Sequence, residues 1–324
     1  MKNQKIKWGI TGPGNIAAQF AADLVLIENA ELTAVASRDI SKAEDFAQKF
    51  NAAKSYDSYD LLFKDKEVDI IYIATPHNSH AELTIKALEN GKHVLCEKPM
   101  ALSYNDALRM IEASKKYNKF FMEAFWTRFI PSVKDVTEKI NNGVIGNVNY
   151  IKADFAFHGS EREHKRLFDK ELGGGALFDI GVYPLFLSYL LLGNPKEIIA
   201  KAIKHKNDID LQTSMILQYE SAQVVLHASI VSESDMKAII SGTNGRIELN
   251  APWFVADGYS LFQNEEKEAV FSLPAFGKGY THEIIECQNC ILNNQIESEL
   301  WSHQNSLDLS KIVEEVKLQI KLPF

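Results

Sequence analysis

A glycine pair set directly after the first apolar run restricts this chain more than any other feature. Ile6–Thr11 reads as a strand, and Gly12, Pro13, Gly14, Asn15, Ile16 and Ala17 follow as a GxGxxA run that opens a helix. In such a turn the first glycine permits a tight reversal and the second lets the backbone approach a pyrophosphate. A small third residue lets helix pack on strand. The run alone is a weak signal, and its position at the first junction of an alternating strand–helix series gives it meaning.

That series continues. Strands are expected at Ile6–Thr11, Leu32–Ser37, Val68–Ala74, Val94–Glu97 and Lys119–Glu123. Capped helical patterns follow Ser41, Ser79 and Ser103 and end at Phe50, Gly91 and near Asn118. The expected fold is α/β, beginning with a doubly wound parallel sheet, a Rossmann NAD(P)-binding domain over residues 1–122. Beyond it a helix is expected at Pro131–Asn142, a strand at Val148–Phe157, and an apolar helix at Gly175–Leu192 closed by Gly193. From Glu197 to Phe271 strand signals follow one another across short turns, Gly242–Gly245 among them, without a helix between. Strands joined in that way pair antiparallel, so residues 123–324 are expected to form an α+β domain with a large, mostly antiparallel open sheet. Two helices, near His282–Asn294 and Ser306–Lys321, finish the chain.

Composition excludes several classes. The chain has 324 residues, 46% hydrophobic and 24% charged, with a net charge of −8, which suits a globular protein and gives no basic footprint for nucleic acid. The one basic cluster, Lys201–Lys206, is flanked by Asp208 and Asp210. No stretch suggests a signal peptide or a membrane span, so a cytoplasmic protein is expected. Cys96, Cys287 and Cys290 are too few for a disulfide framework, and Cys287 and Cys290, one helical turn apart, read as core. His77 and His80 lack a third ligand with suitable spacing, so no metal is expected.

Within the second domain Met215, Leu217 and Tyr219, then Val224, Leu226, Ala228 and Ile230, mark one face of the sheet, while Ile216 and Val225 fall on the other. A half-apolar outer face is a candidate subunit interface for a homo-oligomer, and a covering helix or loop explains it equally well.

Cofactor choice is read at the end of the second strand, where an acid would bind the ribose 2′-hydroxyl of NAD. Ser37 and Arg38 stand there instead. A hydroxyl and a guanidinium can donate to a 2′-phosphate of about −1.5 to −2 charges, so NADP is expected over NAD. The loop Thr75, Pro76, His77, Asn78 is expected over the nicotinamide half, because it leaves the sheet at the same edge as Lys98.

Chemistry is expected at two stretches. His93–Pro99, HVLCEKP, ends an apolar strand in Glu97, Lys98 and Pro99, and the proline presents Lys98 beyond the strand. Gly173–Tyr183, GGGALFDIGVY, gives an unhindered backbone before a helix, with Asp179 and Tyr183 on one face of it. A carboxylate in so apolar a segment needs a partner.

With both motifs in order, the chain resembles the glucose-fructose oxidoreductase and inositol dehydrogenase (Gfo/Idh/MocA) family. Its hallmarks are an EKP tripeptide closing the fifth Rossmann strand and a GGG-x3-D-x-G-x-(H/Y) helix. The segment Glu123–Pro131, EAFWTRFIP, and tyrosine at 183 look most like its dimeric dihydrodiol dehydrogenase branch, which uses NADP and assembles through the second domain's sheet. The resemblance implies hydride transfer between nicotinamide C4 and a carbinol or carbonyl carbon of a sugar, polyol or trans-dihydrodiol. It makes Tyr183 the proton donor and acceptor, with Lys98 and Asp179 beside it. A free tyrosine titrates near pH 10, so as a base it needs help, and a nearby lysine can supply a downward shift of about 1 to 3 units. Lys98 can equally bind the substrate oxygen or relay the proton. Asp179 would orient Tyr183 or a substrate hydroxyl. Trp126, Phe155 and Phe157 are expected to line the apolar part of the pocket, with Arg128 near cofactor or substrate, and Glu97 on the cofactor side. Two other readings use the same scaffold, a glycoside hydrolase or lyase that retains NAD and a dinucleotide-sensing regulator.

Overall fold

A computed structural model of the chain describes residues 5–159, 165–263 and 266–324. By its contacts the chain falls into two compact units, one comprising the chain up to Trp126 with Phe276–Leu307, the other Thr127–Ala275 with Asp308–Phe324. A single cut at residue 122 makes no provision for the return of Phe276–Leu307 to the first unit.

In the first unit, β1 (Ile6–Thr11), β2 (Ala30–Ala36), β3 (Lys54–Tyr56), β4 (Ile70–Ile73), β5 (His93–Glu97) and β6 (Phe121–Ala124) form one parallel sheet, ordered β3-β2-β1-β4-β5-β6. This is the doubly wound order, with its switch point between β1 and β4. Strands covered by helices on both faces are apolar throughout, as in β4, where all four residues are buried. Around the sheet run α1 (Asn15–Leu24), α2 (Ile40–Phe50), α3 (Tyr59–Lys64), α4 (His80–Glu89) and α5 (Tyr104–Tyr117). Ser103 caps α5 by accepting from Asp106 N–H at 3.1 Å, and Asn118 ends it in the left-handed region at φ 49°. The sequence reading lacks β3 and α3, which at three and six residues are too short to show either hydrophobic period.

One carboxylate ties the returning segment to this unit. Asp23 of α1 is 1% exposed, and its oxygens accept from the backbone N–H groups of Lys278 and Tyr280, each at 2.9 Å. It thereby serves the N-terminus of the helix Tyr280–Leu292, whose own cap residue, Gly279, has no side chain to offer.

The second unit is built on α6 (Pro131–Asn141), β7 (Val148–Ala156), α7 (Val182–Leu192), β8 (Glu197–Lys204), β9 (Asp210–Gln218), β10 (Gln223–Ser229), β11 (Ala238–Gly242), β12 (Gly245–Leu249), β13 (Gly258–Gln263) and β14 (Glu266–Ser272). Its eight strands form one sheet, ordered β14-β13-β12-β11-β7-β10-β9-β8. Neighbours pair antiparallel except β7 and β10, which are parallel. The rule that consecutive strands pair antiparallel holds for β8 to β10 and β11 to β14. It does not foresee β7, which comes earlier in the chain, inserting between β10 and β11.

The apolar helix packs on β7 and β10. By length and composition Lys170–Leu192 would be apolar enough to cross a membrane, and 78% of its apolar window is buried inside the protein, as in a core helix. It is not one regular helix from Gly175, as the sequence suggests. Leu177–Gly181 is a π-helical turn, with Val182 N–H bonded to Leu177 O, before α7 begins. Pro184 accounts for the change, since it has no N–H for the carbonyl one α-turn back and its ring crowds that carbonyl.

Asp23→Ala is expected to lower unfolding free energy by about 3 kcal/mol, because two backbone N–H groups lose a charged acceptor in a buried place. Urea unfolding of the cofactor-free protein reads the change, and an unaltered midpoint would show that α8 (Tyr280–Leu292) is held by packing alone.

Candidate active site

The glycine turn after β1 is formed by close approach. Gly12 has φ +73°, and a Cβ there would stand 2.9 Å from both Ala74 O and Thr75 Cγ2, so the turn is seated against the chain leaving β4. At Gly14 a Cβ would meet nothing closer than Gly12 O at 3.9 Å, which leaves the backbone open. Asn15 and Ile16 are exposed at the head of α1, Ala17 is buried, and no side chain caps the helix. An uncapped helix start with an open glycine fits a dinucleotide pyrophosphate.

Ser37 and Arg38 leave the end of β2 side by side. Ser37 is buried and its Oγ accepts from Asp39 N–H at 3.2 Å, a role that leaves its own hydroxyl proton as a donor. Arg38 is exposed and hydrogen-bonded to Tyr59 of α3. The sequence reading had no partner for this arginine because it had no α3.

After β4 the loop is braced from inside. Thr75 Oγ1 accepts from Ser79 Oγ at 2.7 Å, and the fully buried His80 places Nε2 at 2.8 Å from Thr75 O and Nδ1 at 2.9 Å from Pro99 O. His80 therefore joins the loop of Thr75, Pro76, His77 and Asn78 to the chain beyond Lys98. The ring of His77, itself buried, meets that of His80 edge-on at 5.6 Å. At the end of β5, Glu97 accepts a short hydrogen bond from Tyr72 OH and a second, at 3.2 Å, from Lys98 N–H. Lys98 is half-buried and its charge bears on Glu123, buried on β6. Trp126 lies flat on Tyr280, ring centroids 4.8 Å apart.

In the second unit Tyr183, at the start of α7, is 6% exposed. Its ring centroid is 5.4 Å from that of Phe155 and 5.4 Å from that of Phe254, and those two rings stack at 4.1 Å. Phe157 is 6.3 Å from Phe155. Asp179, in the π turn, forms an ion pair with Arg166. Arg128 sits, half-buried, in the short helical turn Trp126–Phe129. The three glycines have separate tasks. Gly173, at φ +71°, ends the turn Lys170–Leu172. A Cβ on Gly174 would lie within 2.6 to 2.8 Å of the carbonyl oxygens of Leu167, Arg166 and Asp169. A Cβ on Gly175, at φ +113°, would lie 2.3 Å from Asp210 Oδ1. Asp210 Oδ2 accepts from Leu177 N–H at 2.8 Å and Thr213 Oγ1 at 2.6 Å, and burial raises the carboxyl's pKa.

Sequence reasoning missed Arg166, Phe254 and Asp210. The first two sit among ordinary neighbours, KRLFD and APWFV, and only the aromatic pair Trp253–Phe254 between two strands offered a signal. Among the described residues no group of three or more His, Cys, Asp or Glu is arranged to hold a metal.

Residues 6–125 match the oxidoreductase family with an NAD-binding Rossmann fold, GFO_IDH_MocA, and residues 133–248 match the GFO/IDH/MocA C-terminal domain. The chain belongs to the Gfo/Idh/MocA oxidoreductase family. It is 34% identical to a trans-1,2-dihydrobenzene-1,2-diol dehydrogenase of Xenopus tropicalis over 98% of this chain and 99% of the relative. With the human enzyme of that name it shares 32% identity over 98% of each. A 3-ketoreductase of Actinomadura kijaniata, KijD10, solved with NADP and TDP-benzene, superposes with a TM-score of 0.87 at 26% identity over 98% of both chains. Solved variants of that enzyme include a lysine-to-alanine and a tyrosine-to-phenylalanine substitution. An aldose-aldose oxidoreductase of Caulobacter crescentus shares the fold at TM-score 0.89 and 22% identity, over 98% of both chains. This family member is an NAD(P)-dependent oxidoreductase.

Gly175→Ala is expected to destabilise the protein by about 3 kcal/mol, since a left-handed backbone and a carboxylate in the Cβ position act together. Gly143→Ala, also left-handed at φ +73° but with nothing within 4 Å, is the control and should cost about 1 kcal/mol. Equal urea midpoints for the two variants would remove the role given to Asp210.

Proposed function

We propose that this enzyme moves a hydride between nicotinamide C4 and the carbinol or carbonyl carbon of a sugar, polyol or trans-dihydrodiol, with NADP preferred over NAD. What carries the reading is Tyr183, a phenol walled by Phe155 and Phe254, in a chain whose β5 is followed at once by Lys98 and Pro99. A bound nicotinamide supplies the hydride acceptor or donor. The chain's own groups handle the proton: in oxidation Tyr183 takes it from the substrate hydroxyl, and in reduction the neutral phenol donates it to the carbonyl oxygen. Lys98 is assigned to the substrate oxygen or to the proton relay, and Asp179 to orienting a hydroxyl. The aromatic rings suit the apolar faces of a sugar or diol ring. The full-length relatives named diol dehydrogenases, and a ketoreductase solved with NADP, support the substrate class and the cofactor. Ser37 and Arg38 support NADP further, as donors to a 2′-phosphate where an acid would repel it. Three buried free cysteines and a net charge of −8 fit a cytoplasmic enzyme of small molecules.

A screen of sugars and diols read by nicotinamide absorbance tests this. Reduced cofactor should accumulate in amounts that match product, with kcat/KM higher for NADP than for NAD. Lys98→Met and Tyr183→Phe should each lose about 100-fold or more in kcat while NADPH binding, read by fluorescence, persists. Substrate turnover without net reduced cofactor would instead identify an enzyme that retains and recycles it.

We also read the protein as a homo-oligomer assembled through the outer face of the second sheet. Ile199, Ile216 and Val225 are cross-strand neighbours on β8, β9 and β10, exposed by 48%, 40% and 39%. An apolar row of that kind on a sheet face is a surface for another face. Ile216→Lys should convert the oligomer to monomer in size-exclusion chromatography with light scattering, and a wild-type monomer at micromolar concentration would refute the assembly.

A further inference from the structure

The tri-glycine segment seats a second stretch of chain, and that stretch carries one arginine. Gly175 N–H donates to Leu167 O at 2.8 Å and Gly174 N–H to Asp169 O at 2.9 Å, while Asp169 N–H closes onto Arg166 O at 3.2 Å. Only a residue without Cβ can stand at Gly174, because three carbonyl oxygens of Arg166–Asp169 occupy the space. The next two side chains fix the segment from below. Leu167 and Phe168, 5% and 9% exposed, enter the core cluster of Ala176, Ile180, Ile209, Ala228 and Ile230.

Arg166 is thus immobilised by its own carbonyl, by its neighbours' carbonyls and by two buried side chains. Its guanidinium meets Asp179, with 39% of the arginine side chain and 15% of the aspartate side chain exposed. The other terminal nitrogen, Nη1, is buried with no hydrogen-bond partner among the described residues. An arginine kept only for stability would more simply donate through both arms of its fork. Here the main chain sets the position and one arm reaches one oxygen. Asp179 lies four residues before Tyr183, across the junction of the π turn with α7.

We propose that Arg166 is a positioning residue, which holds the Asp179 carboxylate ionised and in one orientation, four residues ahead of Tyr183. The inference rests on the function proposed above only for the consequence in turnover. The ion pair itself is a property of the second unit. Asp210 on β9 is the other carboxyl against this turn, and its Oδ2 is already occupied by Leu177 N–H and Thr213 Oγ1. Its place is under the backbone, so it offers no substitute for Asp179 as the partner of Arg166.

Protein labelled with [13Cγ]aspartate, with the Asp179 signal assigned through Asp179→Asn, tests the pair without substrate. In Arg166→Gln the Asp179 titration midpoint should rise by about 1 unit or more, because an opposite charge in contact favours the ionised form. Arg166→Lys keeps the charge and should hold the midpoint near wild type, but it lacks the planar fork and should regain only part of the turnover. In steady state Arg166→Gln should lose about 100-fold in kcat with KM and NADPH affinity changed by less than about threefold, the pattern of a misplaced group rather than a lost binding contact. The acidic limb of its kcat profile should move upward with the midpoint. A midpoint that stays put in Arg166→Gln overturns the inference, as does a full-strength kcat with an unmoved limb. If wild type transfers no hydride to any carbinol or carbonyl compound, the proposed reaction fails while the titration still decides the pair. Should Arg166→Gln not fold, a shifted midpoint in Arg166→Lys would by itself reject the assigned role of the charge.

Discussion

A parallel strand cannot hand its chain to a neighbour through a hairpin, so the chain must leave the sheet at the carboxyl edge, and in the first unit the residues proposed for cofactor and substrate lie along that edge. Gly12 follows β1, Ser37 follows β2, Thr75 lies two residues past β4, and Lys98 follows β5. The strand order sets β1 against β4, where the connecting helices depart to opposite faces and a crevice opens. Gly12 is the hinge of this arrangement. Its missing Cβ admits the carbonyl of Ala74, and any larger residue would force the β1 and β4 exits apart. His80 then fastens the β4 exit to Pro99, so the glycine turn, the loop and the lysine are linked by contacts within one unit.

The second unit solves a different problem with the same residue type. Its sheet has antiparallel neighbours almost throughout, and its chemical groups come from a helix start laid against β7 and β10 rather than from strand ends. A helix start exposes N–H groups that need acceptors. Asp210 supplies one to Leu177, and Gly175 is the space through which its carboxylate reaches. The π turn follows from Pro184 and changes the spacing along the helix just where Asp179 and Tyr183 lie. The residues proposed for chemistry and those that shape the turn are therefore interleaved in one short stretch, in which Gly174 and Gly175 answer to packing.

Features that depend on one local rule were legible in the sequence. The GxGxxA turn, the strand-end lysine and the five longer strands of the first sheet each announce themselves through a period or a residue type with a single use. Features that depend on distant partners were not. Three-residue β3 carries no period, and with α3 absent Arg38 had no visible companion. The return of Phe276–Leu307 is met by partners far earlier in the chain, Asp23, Asn29 and Phe121 among them, and no pattern around Gly277 reveals it. The parallel pairing of β7 with β10 is likewise a matter of register across a long stretch of chain. Asp179 shows the boundary well. Its apolar setting told that a partner was required, and nothing in the sequence told that the partner was Arg166, thirteen residues upstream in a charged run.

The charges around Lys98 explain why an acid can stand next to it in the chain. Lys98 bears on Glu123 and Glu97 on Glu283, so the ionisation of these acids shapes the field at the strand end. Burial changes this balance. Glu283 is fully buried, and desolvation first, then the charges of Glu97 and Asp23, push its pKa well above the ordinary range, which disfavours its charged form. Glu123 is raised too, by burial first, against the pull of Met100 N–H and other donors, so its charged form is disfavoured. Tyr72, held neutral by burial and by the nearby acids, donates to Glu97, and Lys98 N–H takes Glu97's other oxygen. Glu97, the acid before Lys98 in the chain, is thus engaged by a phenol and a backbone amide. Lys98 stands just past the end of β5, next to an acid whose oxygens accept from Tyr72 OH and from the lysine's own backbone N–H, and it is this ammonium that the proposed mechanism assigns to a substrate oxygen.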